Sequence, residues 1–176
     1  SYGHNSFCFE PAAVNLNSIQ KNISLNPSIS DKITVIPLAI DEISRTSYFY
    51  MQSLHAGTAR NSFGHEKWWG DEFKTIFKQP TLSVSLDDCI EVFSLPIPRY
   101  LKIDVDGNDS LVLDGSKKLL ANKELEEIII ELPLESDITS NVINNLENKY
   151  GFKVKSKTND ERLKIKENDK VLKKYI

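Results

Sequence analysis

Tyr100-Leu101-Lys102-Ile103-Asp104-Val105-Asp106-Gly107 is a short apolar run that ends in two carboxylates and a glycine. A buried parallel strand finishes in this way before its crossover helix. Asp109 stands where it can cap that helix, which carries Leu111, Val112, Leu119 and Leu120. Working outward, Glu127 to Leu132 reads as a further fully buried strand, and Asp137 to Lys149 as a helix with Val142, Ile143 and Leu146 on its apolar face. Phe152 to Val154, Leu163 to Ile165 and Val171 to Ile176 are short strand candidates, the last two close enough together to pair antiparallel.

Upstream, Ser6-Phe7-Cys8-Phe9-Glu10-Pro11 has the same form, an apolar strand closed by an acid and a proline. Apolar residues at Val14, Leu16, Ile19, Ile23 and Leu25 then recur at a mostly helical spacing from Ala12 until Asn26-Pro27 stops it. Ile33 to Ile40 is expected to be one buried strand, closed by Asp41-Glu42. Thr46 to Met51 and Thr81 to Leu86 read as a hairpin inserted in the fold, joined by a long irregular stretch with Gly57, Gly64 and Gly70. Asp87-Asp88 can cap a short helix through Phe93. Strand and helix therefore alternate, which predicts a mainly parallel, doubly wound α/β sheet over residues 1–176 as a single domain.

Hydrophobic residues are 40% and charged residues 27% of the chain, an ordinary globular mixture. A formal charge of -3 supplies neither the basic footprint of a nucleic-acid binder nor a polybasic membrane handle. Cys8 and Cys89 form no CxxC pair and read as reduced thiols. With no apolar run near membrane length and no signal peptide, the expected compartment is the cytoplasm. No metal site is expected, and nothing in the sequence sets an oligomeric state.

Ligands of open α/β sheets bind beyond the carboxyl ends of the strands. Three candidate strands here end in acids, at Glu10, at Asp41 and at the Asp104/Asp106 pair. A carboxylate at such an edge either caps the next helix or accepts both vicinal hydroxyls of a ribose.

The series Phe9-Glu10-Pro11, Asn22-Ile23-Ser24-Leu25-Asn26, Ala39-Ile40-Asp41, Leu86-Asp87-Asp88, Lys102 to Gly107, Leu113-Asp114-Gly115 and Ile130-Glu131-Leu132 resembles the FkbM-type methyltransferases in order and spacing. The resemblance implies a Rossmann-like class I methyltransferase fold holding S-adenosyl-L-methionine. It implies Glu10, with Pro11, at the ribose hydroxyls, Ile40 and Asp41 bordering the adenine, and Asp104 near the methionine end or the acceptor. Methyl transfer to a hydroxyl oxygen of a small molecule or glycan is the implied reaction, with Asp104, Asp106 or a histidine as the base.

His55, His65, Trp68 and Trp69 fall in the irregular stretch and are candidates for an acceptor pocket; against this stands an exposed loop whose tryptophans pack locally. Family members carry a glycine-rich cofactor loop after their first strand, and Ser1-Tyr2-Gly3-His4-Asn5 is no substitute. The first strand is therefore expected upstream of this sequence, and the chain without it is expected to bind the cofactor poorly and to be inactive. Asp106 stands where the family usually has glutamate.

Two alternatives belong to other classes. Asp104-Val105-Asp106-Gly107 fits the Asp-x-Asp-Gly of magnesium-dependent phosphatases of the haloacid dehalogenase type. Asn108 and the lack of a later Gly-Asp-x-x-x-Asp motif count against it. The other alternative is a non-catalytic interaction module.

Overall fold

The computed structural model describes residues 3–68, 71–133, 136–159 and 172–175. Two compact units, Ser1–Val84 and Ser85–Ile176, divide the chain. Each mixes helices with strands, the α/β class expected.

In the first unit, β1 (Ser6–Phe9) and β2 (Ile33–Ile36) pair in parallel, Ser6 opposite Ile33 and Phe9 opposite Ile36. The crossover between them contains α1 (Ala13–Ser24), because parallel neighbours need a long connection. The single strand expected over Ile33 to Ile40 is broken at Pro37, which has no N–H for a ladder. Leu38 N–H turns back onto the Ile36 carbonyl at 2.9 Å, and the chain resumes as β3 (Ala39–Ile40) in a different sheet.

β4 (Arg45–Met51) and β8 (Phe77–Val84) form the expected antiparallel hairpin, from Arg45 opposite Ser83 to Met51 opposite Phe77. β3 lies parallel to the end of β8. The long connection contributes β5 (Ser62–Phe63) to the other edge of β4, and a small ribbon of β6 (Lys67–Trp68) with β7 (Asp71–Glu72). Ile36, Ala39, Ile40, Met51 and Phe63 are buried.

In the second unit, α2 (Leu86–Val92) begins at a serine rather than at the acid pair. Ser85 Oγ accepts the Asp88 N–H at 3.0 Å, an N-cap of the usual kind. Asp87 instead accepts the N–H groups of Lys118 and Leu119, at 2.8 and 2.9 Å. Those donors open α4 (Lys117–Leu120), so the one helix expected after Gly107 is two, α3 (Asp109–Asp114) and α4, divided at Gly115-Ser116. A carboxylate distant in sequence satisfies the new helix start.

β9 (Tyr100–Ile103) and β10 (Glu127–Pro133) pair in parallel, Tyr100 opposite Glu127 and Ile103 opposite Ile130. α5 (Asp137–Tyr150) lies on β10 and is capped by Ser136, which accepts the Thr139 N–H at 3.1 Å. Gly151, at φ 78, ends α5, and its N–H and that of Phe152 return to the Glu147 and Leu146 carbonyls. That turn draws Phe152 into the helix cap, so the strand expected at Phe152 to Val154 does not form. β12 (Leu172–Tyr175) falls on the candidate at Val171 to Ile176 and pairs antiparallel with β10, and also antiparallel with β11 (Lys157–Asn159), a strand the sequence reading did not expect. The candidate at Leu163 to Ile165 lies outside the described residues.

Among the described residues there are four sheets rather than one, with three parallel pairings and five antiparallel. The inserted hairpin with its connection and the C-terminal strands account for the excess. No helix among the described residues is long and apolar enough to cross a membrane. Cys8 and Cys89 are free thiols, and burial pushes both above the ordinary range, which makes them poor nucleophiles.

Candidate functional site

Glu10 follows the carboxyl end of β1, its own N–H bonded to the Ile36 carbonyl at 3.2 Å. One carboxylate oxygen accepts the Ala12 N–H at 2.8 Å, and the other accepts the Asn15 amide at 3.0 Å. Glu10 therefore does hold the start of α1, the blander of its two expected roles. Each oxygen still has a second acceptor direction, and the side chain is only half-buried. Pro11 is fixed in turn, its carbonyl accepting the Gln79 amide at 2.6 Å while Gln79 Oε1 accepts the Ala13 N–H at 3.1 Å. The turn from strand to helix is thus clamped from two sides.

Asp41 follows β3, with its N–H on the Val84 carbonyl at 3.1 Å. Its side chain is fully buried, and Oδ2 takes Arg45 Nε at 2.8 Å and Nη2 at 2.7 Å. The guanidinium lies 5.2 Å from the centre of the Phe63 ring. Gly64, at φ +87, admits it, because a Cβ there would sit 3.0 Å from Nη2. Asp41 Oδ1 is buried with no hydrogen-bond partner. Ile40, beside it, is buried.

The acceptor candidates separate. His55 is exposed in a turn where its N–H bonds Ser53 Oγ at 3.0 Å and its carbonyl accepts Thr58 Oγ1 at 2.8 Å. Two residues on, Gly57 N–H donates to Asn15 Oδ1 at 2.8 Å, which ties this turn to the Glu10 network. His65 lies elsewhere, its Nδ1 3.1 Å from the Ser62 hydroxyl. Trp68 is in β6, and Trp69 lies outside the described residues.

In the second unit, Asp104 follows β9 and its carboxylate meets Lys102 Nζ at 2.6 Å. Asp106, at φ 54, and Gly107, at φ 110, turn the chain toward α3. A left-handed aspartate costs roughly 1–2 kcal/mol, so the surroundings must impose this turn. Asp109 imposes it. Fully buried, it accepts the Val105 N–H at 3.2 Å and the Gly107 N–H at 3.1 Å. It reaches backward to the loop instead of capping the helix ahead as expected. Burial pushes its carboxyl up to about 6; the backbone N–H groups of Val105, Gly107 and Asp109 itself pull the other way, and the Asp104 charge adds to the rise.

A cavity of about 490 Å³ in this unit is lined by Ile128, Ile130, Leu132, Val142, Ile143 and Leu146 among others, and neither Asp104 nor Asp106 borders it. Sequence reasoning did not reach Asn15, Gln79, Arg45 or the backward reach of Asp109. Only Arg45, four residues after Asp41, leaves a local signal.

Glu10, Asp41 and Asp104 thus each stand just beyond a strand that has a parallel partner. A family model, the methyltransferase FkbM domain, matches residues 2–154. The chain belongs to the FkbM methyltransferase domain family. No curated protein matches it significantly. A similar solved structure is that of methyltransferase FkbM from Methylobacillus flagellatus KT, 12% identical, with a TM-score of 0.60 over 98% of this chain. This chain spans 36% of that one. Neither comparison supports the phosphatase or the interaction-module alternative.

Proposed function

We propose that this chain is the cofactor-holding part of an S-adenosyl-L-methionine-dependent methyltransferase that acts on a hydroxyl oxygen of a small molecule or glycan. The geometry of Glu10 carries the reading: a carboxylate at the end of a parallel strand, with each oxygen oriented by one donor and open to another. Two vicinal ribose hydroxyls need that pair of acceptors. The orphaned Asp41 Oδ1, next to buried Ile40, lacks the kind of N–H donor that an adenine amine offers. The residues present therefore fit the cofactor, which supplies an electrophilic methyl group when bound.

Glu10 and Pro11 bind and orient, Ile40 and Asp41 border the base, and Asp104 and Asp106 receive the proton that the acceptor hydroxyl loses as its oxygen is methylated. His55 and His65, with Trp68, are proposed on the acceptor side. A single family match across both units supports reading them as parts of one domain of Rossmann-like class I type, to which the parallel pairs are suited. Two free thiols suit a reducing compartment and support a cytoplasmic setting.

Calorimetric titration of the chain with S-adenosylhomocysteine tests the reading. Binding that weakens about tenfold or more in Glu10→Gln is expected, from the loss of charge in contacts worth roughly 1.5–3 kcal/mol. Binding left unchanged by that substitution removes the ribose assignment.

A further inference from the structure

Asn15 is the third residue of α1, and its side chain joins two otherwise separate features. Its Oδ1 takes the Gly57 N–H at 2.8 Å, and its Nδ2 gives a hydrogen to Glu10 Oε2 at 3.0 Å. The orientation of the amide follows from chemistry. A backbone N–H only donates and a carboxylate only accepts, so the oxygen must face Gly57 and the nitrogen Glu10. Glu10 Oε1 has its own donor in Ala12, so Asn15 is what fixes the rotation of the second oxygen. Gly57, at φ +79, lies in the turn that carries His55.

Resting on the cofactor reading of Glu10, we infer that Asn15 is a positioning residue that couples occupancy of the Glu10 carboxylate to the order of the Ser53 to Thr58 turn. A ligand that holds Glu10 holds Asn15, and through it the turn that presents His55 toward the acceptor. Linkage makes the effect reciprocal: a turn held in place presents Glu10 in its binding rotamer. Occupancy of Glu10 should therefore order the turn, and an ordered turn should strengthen binding at Glu10.

The test uses the full chain, isotope-labelled for NMR, with S-adenosylhomocysteine as probe. In the parent chain the probe should increase protection of the Gly57 amide from hydrogen exchange. Asn15→Ala should abolish protection of Gly57 even without probe and weaken probe binding. Asn15→Asp keeps the acceptor for Gly57 but turns a carboxylate toward Glu10, so Gly57 stays protected while affinity falls at least about tenfold. A purely structural asparagine would show no such split between Gly57 exchange and probe affinity. Probe binding by Asn15→Asp equal to the parent's, or Gly57 exchange unaffected by Asn15→Ala, overturns the coupling. A parent chain that takes no probe removes the cofactor reading itself, and the coupling with it, before any variant is compared.

Discussion

Asp109→Asn is expected to change how stability depends on pH. Asp109 is fully buried, and its carboxyl in the fold sits at about 6 against an ordinary 3.8. Between those values the native state holds a proton that the unfolded chain has released, so stability falls as pH rises through this window. At about 1.36 kcal/mol per pH unit, the whole fall is about 3 kcal/mol, complete above about pH 6. The variant carries no titrating group there. Its single amide oxygen can serve only one of the two backbone donors, from Val105 and Gly107, at a cost of roughly 1–3 kcal/mol at every pH. That offset cancels in the comparison of slopes. Urea unfolding of both proteins, followed by far-ultraviolet circular dichroism from about pH 4 to about pH 8, should show the variant gaining on the parent by up to about 3 kcal/mol. Curves that run parallel across the window would refute the assignment of a buried carboxyl with a raised pKa to Asp109. All other titrating groups are common to the two proteins.

The remaining predictions concern the Asp41 pair. Arg45→Ala leaves a buried carboxylate without its counter-charge, a change that costs about 3–5 kcal/mol in enclosed pairs. Arg45 is 39% exposed, so water offsets part of this and the expected loss is near the lower figure. Urea midpoints of the parent and the variant read the loss. Gly64→Ala forces a Cβ into a left-handed backbone 3.0 Å from the guanidinium, for about 1–2 kcal/mol. In an Arg45→Ala background the same change should cost less, since the group it crowds is gone; equal cost in both backgrounds would show that the contact does not matter.

Much of the local structure was readable. β1, β4, β9 and β10 announce themselves as short apolar or aromatic runs, and α5 by apolar residues on one face. The acids at Glu10, Asp41 and Asp104 stand just past strands, as read from their position after those runs. Pro37 was a legible break that the apolar flanks concealed, and Ser85 a legible cap hidden behind two aspartates. The division of the helix after Gly107 was not legible, because the group that stabilises the second start, Asp87, lies 31 residues from the N–H it accepts.

The sequence alone determined periodicity and punctuation: which runs are apolar, where they stop, and which acids stand at the stops. These are local properties, set by neighbours within a few residues. Only the tertiary structure decided what each acid does. Glu10 is oriented by Asn15, and Asn15 is tied to Gly57, 42 residues away. Asp41 is enclosed with Arg45 against Phe63, and Asp109 turns back to hold the loop of Asp104 and Asp106. A carboxylate's role depends on its donors and its distance from water, and folding supplies both from parts of the chain that no local pattern connects.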